Sequence, residues 1–126
     1  MRLGDCFVER TRHHDDHLFI VAFDPDKNPD AVLLLSVTTL RGKKESVCVF
    51  NANEHAWIRH TSCIACDFAR TVSKDVLETA RVAGLLQMFP PFPDHLLRRI
   101  WAGAAASTKL DDQFADLLIE QGFLDI

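Results

Sequence analysis

Along the first 73 residues, apolar positions fall into short runs of strand length separated by polar clusters. Cys6-Phe7-Val8 follows the turn-like Gly4-Asp5 and is a first candidate strand. HLFIVAF (17–23) is a continuous apolar run, ended by the turn-forming DPDKNPD of residues 24–30. AVLLLSVT (31–38) is another, and its β-branched Val32, Val37 and Thr38 favour a pleated surface over a helix. Ser46 to Phe50 alternates, with Val47 and Val49 on one face and Cys48 and Phe50 on the other. Ser62 to Cys66 supplies a fifth strand. Short strands joined by polar turns at this spacing predict a small antiparallel barrel, closed or nearly closed.

The period changes near Ser73, a predicted N-cap. Val76, Leu77, Ala80, Ala83, Leu86 and Phe89 form a helical stripe, and Pro90, Pro91 and Pro93 end it. A second helix is expected from Asp94 to Ala106 and a third from Leu110 to about Gln121. Asp111, Asp112 and Asp116 lie in the N-terminal half of the third, where they suit the helix dipole, and Gly122 is its stop. Leu96, Leu97, Ile100 and Trp101 make one apolar helix face, and Phe114, Leu117, Leu118 and Phe123 another. Both read as core before they read as partner surface. The expected class is α+β: a small antiparallel barrel over residues 1–73, with a helical extension over 74–126 packed on it. One domain is expected, because neither half carries much core alone.

Composition narrows the function classes. A chain of 126 residues can bury a core without metals or disulfides. The formal net charge of −4 supplies no general attraction to nucleic acid or anionic membrane, although Arg41, Lys43 and Lys44 form a local basic edge. The longest apolar runs are far shorter than the ~20 residues of a membrane span, and residues 1–16 have no signal-peptide core. Four cysteines without such a signal predict reduced thiols in a cytoplasmic protein.

Cys63-x-x-Cys66 has zinc-knuckle spacing, but Cys6 and Cys48 stand alone and supply no second pair. A redox pair would usually hold Pro or Gly between its cysteines, where this chain has Ile64 and Ala65. A buried strand with packed thiols is the preferred reading. His13-His14-Asp15-Asp16-His17 contains metal-ligand types but lies between strands, where a solvated loop is the simpler reading. His17 opens a strand, so its position is fixed. His55 and His60 flank Trp57-Ile58 before the fifth strand, and together with His17 and Asp67 they could supply acid–base chemistry near neutral pH.

AWIRHTSCIACDFARTVSK (56–74) resembles a stretch of the MazF/PemK family of toxin endoribonucleases. That stretch has alternating apolar residues, an Asp usually followed by Gln, then a basic residue and Thr or Ser. Arg2-Leu3-Gly4-Asp5 resembles the family's opening motif, Leu18 to Phe23 with Asp24-Pro25 its second strand and loop, and Ser36-Val37-Thr38-Thr39 its Pro-x-Thr-Ser/Thr motif. The histidine-bearing versions of these motifs resemble a divergent PemK-like subgroup of bacteria and phages. The likeness covers residues 2 to about 89. It implies an SH3-like barrel with appended helices and metal-independent cleavage of single-stranded RNA with no cofactor. It also implies a cognate antitoxin, a homodimer and a cytoplasmic location.

Residue by residue, the resemblance makes Thr38 the site threonine and Asp67 an acidic site residue. The family's usual Arg at the start of the second strand is not present, and His17 lies nearest to that place; Ala65 stands where some members have a basic residue, and Phe68 where Gln is usual. The implied site is therefore His17, Thr38, His55, His60 and Asp67 around one cleft, with Arg59 at the RNA phosphate. The alternative is a non-catalytic PemK-like barrel that binds a protein or peptide.

Overall fold

The computed structural model describes residues 1–10, 17–40 and 47–125. Its elements in chain order are β1 (Cys6–Glu9), β2 (His17–Val21), β3 (Val32–Thr39), β4 (Val49–Phe50), β5 (Ser62–Ile64), a 3-10 turn (Cys66–Phe68), β6 (Arg70–Val72), α1 (Lys74–Val82), β7 (Leu86–Phe89), α2 (Asp94–Ala106) and α3 (Asp112–Glu120). The class is α+β. The seven strands form one antiparallel sheet in the order β4-β5-β3-β2-β1-β7, with β6 also paired to β3. Among the described residues nothing joins β4 to β7, so the sheet is open where the sequence predicted a closed or nearly closed barrel.

The long apolar β3 is the hub. Along one edge it pairs with β2; along the other its C-terminal part pairs with β5 and its N-terminal part with β6. Burial on both faces accounts for the unbroken hydrophobic run, where a half-exposed strand would alternate. The predicted fifth strand extended to Cys66, but β5 ends at Ile64. Ala65 leaves extended geometry, and the chain makes the 3-10 turn before rejoining β3 as β6.

The helix starting after Ser73 is shorter than its stripe predicted. Ser73 caps it by accepting from the Val76 N–H. At the other end Gly84 adopts φ +76, and the Gly84 and Leu85 N–H groups donate back to Arg81 and Ala80 carbonyls, which closes α1. Leu86–Phe89 then pairs with β1 as an edge strand. Of the expected stripe within α1, Leu77 is buried and Val76 is exposed.

α2 spans the predicted residues. Leu96, Leu97 and Ile100 are buried in the main core cluster, each contributing about 1.5–3 kcal/mol. Trp101 donates from Nε1 to the Ala22 carbonyl at 2.8 Å and stacks on Phe123 at 4.3 Å, which ties the end of the chain to the sheet. Both helical faces are thus largely turned inward. No helix among the described residues is long and apolar enough to cross a membrane.

Candidate functional site

Strand register decides which side chains meet. Paired residues point to the same side of a sheet and successive residues to opposite sides. His17 pairs with Thr38, Phe19 with Ser36 and with Phe7, and Leu34 with Arg70. His17, Phe19, Ser36, Thr38 and Arg70 therefore share one face. Leu18, Ile20, Leu35 and Val37 fill the other and are wholly buried.

On the shared face, His17 Nδ1 and Ser36 Oγ are hydrogen-bonded at 2.8 Å, which fixes the imidazole. The ring also lies 4.5 Å from Phe68 and 6.4 Å from Phe19. The Arg70 guanidinium sits over the Phe19 ring, 4.6 Å from its centroid, and is ion-paired to Glu9 at the end of β1. Among the described residues, the buried Arg70 Nε has no hydrogen-bond partner. A row of planar side chains thus runs Phe68, His17, Phe19, Arg70, with the Phe68 and His17 rings tilted by 43°, and its outer members Phe68 and Arg70 reach solvent.

The sequence-predicted residues distribute unevenly around this row. Thr38 lies on the same sheet face but is 2% exposed, beneath the surface between β2 and β5, and so forms the floor of the face, not a group at its surface. Asp67 is exposed in the 3-10 turn, next to Phe68. His60 and Arg59 are exposed in the segment leading into β5, and Ser62 Oγ donates to the His60 carbonyl at 2.7 Å. Since Thr39 pairs with Ser62, this segment lies at the end of the sheet where His17 begins β2.

His55 is elsewhere. Its Nδ1 accepts from the Trp57 N–H at 3.1 Å, which leaves the hydrogen on Nε2 to be donated to the Pro90 carbonyl at 2.6 Å. The ring stacks on Phe92 at 4.2 Å and lies beside the Cys6 thiol. Cys6 pairs with Ile20, on the opposite face from His17. Burial holds the His55 pKa below its ordinary value, only partly offset by the Pro90 carbonyl. With both nitrogens bonded to backbone, His55 staples the 51–61 segment to the chain after β7, and the expected single cleft does not include it.

All four thiols are buried and unpaired by disulfides. Burial pushes Cys6 up to about 12 and Cys48 up to about 11. Among the described residues no group of three or more His, Cys, Asp or Glu side chains could hold a metal. His13 to Asp16 and the basic residues Arg41, Lys43 and Lys44 lie outside the described residues.

Sequence reasoning missed Arg70, Glu9, Phe19 and Ser36 as site residues. The signal for Arg70 was the basic residue of the resemblance motif, three places after Asp67. Phe19 and Ser36 were hidden within apolar runs, and their side became evident only from register. No protein family, curated protein or solved structure matches the chain.

Proposed function

We propose that the protein is a PemK/MazF-like endoribonuclease that cleaves single-stranded RNA without a metal, its open sheet a divergent form of the SH3-like barrel. The observation that supports this reading most is the oriented His17 imidazole on the same sheet face as the Arg70 guanidinium. RNA cleavage needs a base for the ribose 2′-hydroxyl, positive charge for the phosphorane and a proton for the departing 5′-oxygen. His17 takes the 2′-hydroxyl proton as the 2′-oxygen bonds to phosphorus. Arg70 stabilises the added negative charge. The bond from phosphorus to the 5′-oxygen breaks, and the exposed His60 returns a proton to it. A 2′,3′-cyclic phosphate and a 5′-hydroxyl result. Asp67 and Arg59 flank the face, and a cognate antitoxin, a homodimer and a cytoplasmic setting belong to the same reading.

A second reading, a non-catalytic module that binds protein or peptide, draws on a different surface. Val76 and Val82 on α1, with Leu85 and Met88 at the edge strand β7, are exposed.

The deciding experiment incubates the purified protein with long single-stranded RNA in excess EDTA, beside His17→Ala and Arg70→Gln. Cleavage to cyclic-phosphate ends is expected, falling about 10²–10⁴-fold in His17→Ala and about 10²–10³-fold in Arg70→Gln. Equal rates in wild type and His17→Ala, or no cleavage at all, would remove the ribonuclease reading and leave the binding module.

A further inference from the structure

We infer that Phe68 is a nucleobase-stacking platform, taking one base of a single-stranded nucleic acid beside the scissile phosphate. The inference rests on the endoribonuclease reading and names how that site would hold its substrate.

Of the nine phenylalanines, Phe68 alone is exposed, at 49%. An aromatic ring left this open on a small domain forgoes burial that its neighbours obtain. Local backbone structure places it there. The Phe68 N–H donates to the Ala65 carbonyl and the Ala69 N–H to that of Cys66, so the turn is closed by its own hydrogen bonds. On either side β5 and β6 are both registered on β3, which ties the turn to the hub of the sheet at both ends. Cys66, one step before Asp67 in the turn, is buried and anchors it from below. The ring is thus presented from a fixed frame.

Its surroundings indicate the ligand. The ring contacts the His17 imidazole, and beyond His17 the row continues through Phe19 to the Arg70 guanidinium. An exposed aromatic surface followed by an acid–base group and a cation matches the order of a nucleotide's parts: base, ribose hydroxyl, phosphate. Base–aromatic stacking is tolerant of base identity, since every base offers a π face. In a duplex those faces are already stacked on neighbouring pairs, so the platform selects single strands.

The test uses the intact protein and Phe68→Ala, Phe68→Leu and Phe68→Trp. Binding is read by fluorescence anisotropy with a labelled 2′-O-methyl RNA 12-mer, which lacks the attacking hydroxyl, and cleavage is read on unmodified RNA. Leucine keeps apolar bulk without a π face. Binding is expected to weaken about 5- to 150-fold in Phe68→Leu and Phe68→Ala, the range for losing one stacked base, and to recover in Phe68→Trp. Melting temperatures close to wild type in all three variants would separate stacking from a structural role. Wild-type cleavage with Phe68→Leu binding as tightly as wild type would overturn the platform and leave the ribonuclease reading standing. Failure of the wild type both to bind and to cleave would overturn the ribonuclease reading, and the platform with it.

Discussion

Two histidines show how differently one residue type is used in this chain. His17 is half-buried on an open face with a hydroxyl neighbour, whereas His55 is enclosed and bonded to backbone through both nitrogens. Burial disfavours the charged ring, and the Pro90 carbonyl offsets this only in part, so the His55 pKa is held below its ordinary value in the folded state. The unfolded chain then takes up the proton first. His55 thus supports stability fully above about pH 6.5, and that support is lost as pH falls through its lower folded value. A His55→Gln variant should be less stable than wild type at pH 7.5, with the gap in urea midpoints narrowing towards pH 5. A gap that stays constant over this range would show that His55 does not titrate with folding. None of this was visible in the sequence, where His55 and His60 looked equivalent. Their difference is set by Phe92 and Pro90, more than thirty residues away.

α2 was read correctly from Asp94 to Ala106 because everything defining it is local: prolines before it, an apolar stripe within it and polar residues after it. Its one internal glycine reflects a distant constraint. A Cβ at Gly103 would lie 2.7 Å from the Cys48 Cβ and 2.8 Å from the Val47 carbonyl oxygen, so the helix approaches the β4 segment too closely for any side chain. Helix propensity alone favours Gly103→Ala by about 1 kcal/mol. The clash involves backbone, which cannot rotate away, and over-packing typically costs 1–3 kcal/mol. A net loss is therefore expected, read as a lower urea midpoint with unchanged slope; a gain would mean that the helix can shift outward. The misread element, β7, failed for the opposite reason. Leu86 and Phe89 continue a helical spacing begun at Val76, and only Gly84 and the vacant edge of β1 divert the chain into a strand. Edge availability is a property of the sheet and leaves no mark in an eleven-residue window.

Across the whole molecule, all four cysteines lie in the interior, at most 6% exposed, so their reactivity follows global opening. At pH 8 a thiol reagent such as DTNB should label native protein negligibly and release four equivalents in one step coincident with unfolding in urea. Early release of two equivalents would reveal a part that opens independently, with Cys63 and Cys66 the pair to examine. The buried-thiol reading of Cys63-x-x-Cys66 was legible because the apolar Ile64 and Ala65 lie between the two cysteines, but the turn that Cys66 opens was not. That turn has a wider implication. β5 and β6 are locked to the same neighbour, so the link between them acts as a gauge of fixed length. An added residue cannot slide β5 without turning its buried side chains outward, or β6 without turning Val72 away from the core it packs against, and must bulge away from the sheet. Insertions between Asp67 and Ala69 would therefore reshape the exposed rim around Phe68 while Cys66 keeps its place in the core. Here the chain could acquire a new preference for what it touches without having to fold anew.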